Sequence, residues 1–368
     1  MPPRSSTSRS RPLLSFEMQP SPLTSTIYSP TLDEDTPSKR WYHYLPLAGT
    51  VFFILAPQPS LLIVLVNYHL RTRGQPIVFG VHLAVTYTLT FLIITSLMVC
   101  VVRDPGPVQI TPSDHGRAAD EVDLTEALMP PDFDFSAPGK WCRQCWAPKP
   151  DRTHHCTHCS RCVLKMDHHC PWVGAKCIGH RTYPAFLHFL FCITLLATYV
   201  AIMCIFALVY AFNNPYVVDE TTPIHELLLA FAGLVFSLVI GSFFFYHVYL
   251  VTTNQTTLEN LSPFLLLRHL PPLPRTGHSL SDPPLEPELS YSQRRLVKDA
   301  HGHIRLYDIG WKQNWIQVFG WNHTYGWVAR ILSGGAIKGD GRTFPRNPKS
   351  EELLARLAVE LVKADKDN

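Results

Sequence analysis

Cys142 and Cys145, then Cys156, Cys159 and Cys162, each stand three positions apart, in a stretch that also holds His154, His155, His158, His168 and His169. With Cys170 and Cys177, seven of the ten cysteines lie between 142 and 177. Thiolates and imidazoles at such gaps close tetrahedra around zinc, whereas packing alone has no need of that density. A second kind of chemistry sits in Asp167-His168-His169-Cys170. A thiol with a pKa of about 8.5 is mostly protonated at neutral pH; an imidazole can take its proton, and a carboxylate can hold that imidazole in the required tautomer. His168 and Cys170 are two apart, so in an extended strand they share a side, while Asp167 points away with His169. The backbone must therefore turn for Asp167 to reach His168.

These residues need a scaffold, and composition says where it is. The chain has 368 residues, of which 46% are hydrophobic and 17% charged. Four apolar segments, 45–66, 77–102, 184–211 and 225–251, each approach the ~20 residues a helix needs to cross a bilayer. The expected fold is an all-α integral membrane protein, with four transmembrane helices and a small cytosolic zinc-stabilised cysteine-rich domain between spans 2 and 3. Lys and Arg number 5 in 1–44, 2 in 67–75, 10 in 103–183, none in 212–224 and 15 from 252 onward. The positive-inside rule puts both termini and the cysteine-rich segment in the cytosol, where thiolates stay reduced. An endomembrane such as ER, Golgi or vacuole is the expected location.

In chain order, 1–44 reads as a disordered cytosolic arm, rich in Ser, Pro and Thr and with no apolar run of signal-peptide length. Pro57 and Pro59 should kink or break the first span. Residues 103–139 read as a linker, and 140–183 as the zinc domain, too poor in apolar residues to fold without metal. His188 and His247 lie near the predicted cytosolic ends of spans 3 and 4 and read as satisfied interfacial histidines. In the tail, 252–368, a Pro-rich linker (262–300) precedes a Trp-rich segment (303–345) holding Trp311, Trp315, Trp321 and Trp327. An amphipathic helix is expected over 351–364, with Ser350 as N-cap and Leu353, Leu354, Leu357 and Leu361 on one face.

The run Cys142-x2-Cys145, Lys149-Pro150-x-Arg152-x-His154-His155-Cys156-x2-Cys159-x2-Cys162, then Asp167-His168-His169-Cys170-Pro171-Trp172, resembles the DHHC family of protein S-acyltransferases. Asp104-Pro105-Gly106, Thr256-Thr257-Leu258-Glu259 and Asn314-x3-Val318-Phe319-Gly320 resemble further motifs of that family. The resemblance implies one zinc on Cys142, Cys145, His155 and Cys162, and a second on Cys156, Cys159, His169 and Cys177. It implies Cys170 as nucleophile, His168 as base and Asp167 as its partner. A long-chain acyl-CoA, usually palmitoyl-CoA, is the implied donor, and cysteine-containing proteins at the cytosolic membrane face are the implied acceptors; no nucleic acid is involved. Six residues separate Cys170 from Cys177 where the family usually has five, and Gly174-Ala175 replaces a common Asn pair.

Two other classes compete with an enzyme. A membrane-anchored zinc adaptor would leave Asp167, His168 and Cys170 without a use. Four spans with no buried carboxylates or lysines are expected, which argues against a transporter. Asn254, Asn260 and Asn322 fit the N-glycosylation pattern yet fall on the side expected to be cytosolic, so all three should stay bare. Glycan on any of them, detected by glycosidase shift of the native protein, would overturn this orientation.

Overall fold

A computed structural model describes residues 41–108, 141–145, 147–274, 279–320 and 339–366. The arm up to 40, the linker beyond 108, and Trp321, Asn322 and Trp327 lie outside the described residues. Four helices are long and apolar enough to cross a membrane: Trp41–Thr72, Pro76–Val102, Tyr183–Asn213 and Thr222–Thr252. The first is interrupted where proline removes backbone donors, an α-helix at Leu45–Leu55 giving way to a turn at Ala56 and a second helix at Pro57–Val64. Gln58 patches the break by donating to Ile54 O at 3.1 Å and to Thr90 Oγ1 at 3.3 Å. The third and fourth spans approach closely at Gly233, where an added Cβ would lie 2.8 Å from Ala197 O. Thr198 and Ser237 join the same two helices, their hydroxyls 2.7 Å apart. Small residues and hydroxyl pairs hold helices together where hydrophobicity gives no preference for protein over lipid.

One expectation about the spans fails. Glu226, near the start of the fourth span, is fully buried, and neither carboxyl oxygen has a hydrogen-bond partner among the described residues. The surrounding leucines and phenylalanines hide it in a hydropathy average, so the absence of a buried carboxylate no longer argues against a transporter.

Between spans two and three, the cysteine-rich segment folds as three antiparallel hairpins. Strand β1 (Trp141–Cys142) pairs β2 (Ala147–Pro148), β3 (His154–Cys156) pairs β4 (Arg161–Val163), and β5 (His168–Cys170) pairs β6 (Lys176–Ile178). The Asp104-Pro105-Gly106 turn docks onto this unit. Gly106 O accepts from Leu164 N at 2.8 Å, Pro105 O from Arg181 N at 3.1 Å, and Asp104 Oδ2 pairs with Arg161 Nη1 at 2.8 Å.

The stretch expected to be a Pro-rich linker is folded. Residues Pro263–His269 form a 3-10 helix, and Tyr291–His301 an α-helix capped by Ser290 and Gln293 in a reciprocal box. Its prolines punctuate short elements whose leucines still have a core to enter: Leu266, Leu267, Leu273, Leu280 and Leu289 are buried with Val297, Leu354, Leu357 and Leu361. The last helix runs Pro348–Lys366. Ser350 therefore lies inside it, with Oγ donating to Arg305 O at 2.9 Å, and it is Asn347 Oδ1 that accepts from Lys349 N.

Arg152 locks the hairpins to the exit of the fourth span. Its side chain is 0% exposed, and Nε and Nη2 donate to Glu259 Oε1 and Oε2 at 2.7 Å each. Tyr307 and Phe344 lie over its guanidinium at 4.4 and 5.1 Å. Arg152→Ala should strand the Glu259 carboxylate and cost about 3 to 5 kcal/mol, read as an early unfolding transition in detergent. Unchanged stability would show that the pair does not hold the two parts together.

Candidate functional site

Hairpin register brings the metal-type ligands together. His155 faces Cys162 across β3 and β4, and His169 faces Cys177 across β5 and β6. His155 Nδ1 lies 3.5, 3.2 and 3.9 Å from the sulfurs of Cys142, Cys145 and Cys162. His169 Nδ1 lies 3.6, 3.5 and 3.8 Å from those of Cys156, Cys159 and Cys177. Zinc–ligand bonds of 2.0–2.3 Å give tetrahedral edges of about 3.6 Å, so both three-cysteine, one-histidine sets fit a closed zinc site. The extra residue before Cys177 does not displace it: after the Pro171–Val173 turn, Gly174 (φ 82°) and Ala175 (φ 49°) take up the added length in left-handed conformations.

Strand β5 places His169 toward the metal set and His168 and Cys170 on the other face. Asp167 does reach His168: Oδ2 is 2.7 Å from Nδ1. The carboxylate is 1% exposed and is held from its far side by Thr257, whose N–H donates to Oδ1 at 2.9 Å and whose hydroxyl donates to Oδ2 at 2.7 Å. Burial would raise the Asp167 pKa, but these donors and the neighbouring imidazoles hold it below the usual range. Burial likewise opposes charge on His168, yet the hydrogen bond to Asp167 and the contact with Cys170 carry its pKa up to about 9. The pair is thus arranged to accept and keep a proton from Cys170.

The sequence marks Thr256-Thr257-Leu258-Glu259 only as a stretch resembling a family motif and gives it no role at the site. It is a capping box: Thr256 Oγ1 accepts from Glu259 N, and Glu259 Oε2 from Thr256 N. The Ser/Thr-x-x-Glu spacing carries that signal, but nothing in one dimension says that Thr257 then meets Asp167, 90 positions away. His188 reads as expected, satisfied by Ser96 Oγ at 2.6 Å and by Cys192. His247 does not, because its Nε2 has no partner among the described residues.

Cys170 and His168 open into an apolar cavity of about 530 Å³. Pro57, Gln58 and Leu61 of the first span, Phe186, Ala197 and Val200 of the third, and Leu229, Gly233 and Phe243 of the fourth belong to its wall. From Phe243 to Leu229 the fourth span covers about 21 Å. Of the basic residues flanking the domain, Arg152 is paired with Glu259 and Arg161 with Asp104, Lys176 donates to Val101 O, and Lys165 is buried beneath the Phe344 ring. Lys149 instead lines a polar groove of about 190 Å³ with Arg268, His269 and Arg346.

Residues 136–263 match the family model described as DHHC palmitoyltransferase. The chain carries a DHHC palmitoyltransferase domain. It is similar to palmitoyltransferase pfa3 of Emericella nidulans, with 37% identity over 169 residues, covering 45% of this chain and 33% of that protein. Palmitoyltransferase ZDHHC2 of Homo sapiens is 33% identical over 233 residues, 63% of this chain and 53% of its own. Palmitoyltransferase ZDHHC15 of Mus musculus is 32% identical over 239 residues, 65% of this chain and 60% of its own. The chain thus spans from about a third to three fifths of the length of these relatives. Within the DHHC domain, ligand and reactive positions separate cleanly by strand face. Replacing Cys145 or Cys159 should release zinc and unfold the hairpins, whereas Cys170→Ser should keep both ions and the native thermal transition. Metal loss on Cys170→Ser, measured by elemental analysis, would contradict that separation.

Proposed function

We propose that this chain is a protein S-palmitoyltransferase, moving a long-chain acyl group from acyl-CoA to cysteine thiols of other proteins through a thioester on Cys170. The reading is carried by one observation, a thiol with an Asp–His pair beside it at the mouth of an apolar cavity that runs down the membrane spans. In the first step His168 takes the Cys170 proton, and the thiolate attacks the thioester carbonyl. The new bond to Cys170 forms as the bond to the CoA sulfur breaks, and the departing thiolate recovers the proton from His168. In the second step a substrate thiol gives its proton to His168 and attacks the Cys170 thioester, and Cys170 leaves with that proton. A covalent intermediate divides one crowded transfer into two steps served by a single base.

Zinc on the two ligand sets, Cys142, Cys145, His155 and Cys162 and Cys156, Cys159, His169 and Cys177, would supply rigidity. Each set offers four ligands, so zinc held there would have no position left for a reacting water. The cavity accounts for affinity: burying a sixteen-carbon chain is worth on the order of 10 kcal/mol at ~0.8 per CH₂. The groove bounded by Lys149, Arg268 and Arg346 suits the phosphates of CoA. Burial, aided by Arg268, lowers His154 to about 4, so that ring contributes donors rather than charge. Acceptors are cysteine-containing proteins at the cytosolic face of an endomembrane.

Purified chain incubated with labelled palmitoyl-CoA should acquire hydroxylamine-sensitive label. Label should vanish in Cys170→Ser and form at least about a hundredfold more slowly in His168→Ala. Label surviving in Cys170→Ser together with undiminished transfer would remove Cys170 as the nucleophile.

A further inference from the structure

His247, on the fourth span, is a fully buried imidazole pressed against the reactive pair from the membrane side. A ring nitrogen of His247, a carboxylate oxygen of Asp167 and a ring nitrogen of His168 all lie within 4.8 Å of one another. The trio has metal-site dimensions, but Asp167 already accepts from His168 and twice from Thr257, so its oxygens are engaged without an ion. The His247 ring is held on several sides. Tyr183 Oη lies 3.1 Å from Nδ1, Phe243 and Phe186 pack edge-on at 4.6 and 5.3 Å, and the His168 ring is 6.0 Å away. That leaves Nε2, which is buried and has no partner among the described residues.

An orphaned polar atom in a site enclosed by aromatic rings costs free energy, and such atoms are retained where they serve another group. We infer that His247 is a positioning residue for the proposed transfer, acting through Asp167 and His168. With the Tyr183 hydroxyl as donor to Nδ1, the ring proton would sit on Nε2, in a ring that has a nitrogen within 4.8 Å of an Asp167 carboxylate oxygen. The opposite tautomer would turn a lone pair on the carboxylate. A neutral donor on this side complements Thr257 on the other, so Asp167 keeps one orientation and His168 stays aimed at Cys170. Phe186 touches both imidazoles, with its ring 5.2 Å from that of His168, and also lines the cavity, so the acyl chain and the pair share one wall. His247 itself stands behind that wall.

The inference rests on the acyltransferase reading and predicts a specific division of effects. Because His247 does not line the cavity, its loss should slow acylation of Cys170 and leave KM for palmitoyl-CoA unchanged. His247→Phe keeps the ring but removes both nitrogens, and the single-turnover rate of labelling should fall by about tenfold or more, since small misplacements of a reacting group carry penalties of that size. Glutamine reaches the place of Nε2 and asparagine only that of Nδ1. His247→Gln should therefore stay within about threefold of the native rate, while His247→Asn falls as far as the Phe variant. Zinc content and the thermal transition of each full-length variant report folding. If the Phe variant does not fold, the Gln and Asn pair decides alone. A Phe variant with the native rate, or an Asn variant as fast as the Gln variant, overturns the role of His247. A native chain that takes no label at all refutes the acyltransferase reading instead.

Discussion

A guanidinium cannot sit in a protein interior without a counter-charge, and the arrangement around Arg152 follows from that requirement. Arg152 belongs to the turn before β3, in the zinc-type domain, while Glu259 belongs to the chain leaving the fourth span. Their pairing forces those two regions into register. The same short turn contributes Thr257 to Asp167, and Leu258 packs against the cluster that includes Cys156 and Cys177. Three consecutive residues, Thr257, Leu258 and Glu259, thus reach the carboxylate, the second ligand set and the buried cation. The hairpins bring the reactive groups, and the membrane exit sets how they stand relative to the bilayer.

Apart from His247, the membrane helices contribute space to the site. The proline break in the first span does not merely bend a helix; Ile54 before it and Pro57 and Gln58 after it line the cavity, next to Leu61. Gly233 lets the third and fourth spans close the opposite wall, since any side chain there would meet Ala197 O. Thr50 adds a tie at the mouth by donating to Trp172 O at 3.1 Å, two residues beyond Cys170. In the proposed transfer, affinity for an apolar chain and reactivity toward its thioester would therefore come from different parts of the sequence, joined at β5.

What could be read from the sequence was what short-range spacing encodes. The ligand gaps, the placement of His168 and Cys170 on one face, and the four spans all depend on neighbours within a few residues or on averaged hydropathy. The misses depended on distant partners. Glu226 disappears in an average, and the Pro-rich stretch looked extended because prolines were weighed without the leucines that another helix, Pro348–Lys366, would bury. His247 passed as an interfacial histidine because it lies near the predicted cytosolic end of its span, while the groups it faces, Asp167 and His168, come from another element. Thr257 carried a visible capping signal, but capping explains only Thr256 and Glu259.

The folded tail bears on the same constraint from the outside. Two of the rings over Arg152, Tyr307 and Phe344, come from residues beyond 300, and Asn254, which accepts from Arg152 Nη1, donates in turn to Tyr307 O and Gln317 Oε1. The helix Trp311–Phe319 closes against the end of the fourth span, where Asn314 donates to Thr252 O at 2.8 Å and Trp315 to Thr252 Oγ1 at 3.2 Å. Removing water from a charged pair strengthens the attraction between its partners but raises the cost of any imperfect contact. The tail supplies that desolvation and the contacts that make it tolerable. The core of Leu266, Leu267, Leu354 and Leu361 is therefore coupled to Asp167 through Tyr307, Arg152, Glu259 and Thr257. The residues after the fourth span belong to the machinery that orients Asp167, although none of the described residues beyond 262 lies in the cavity wall with Cys170.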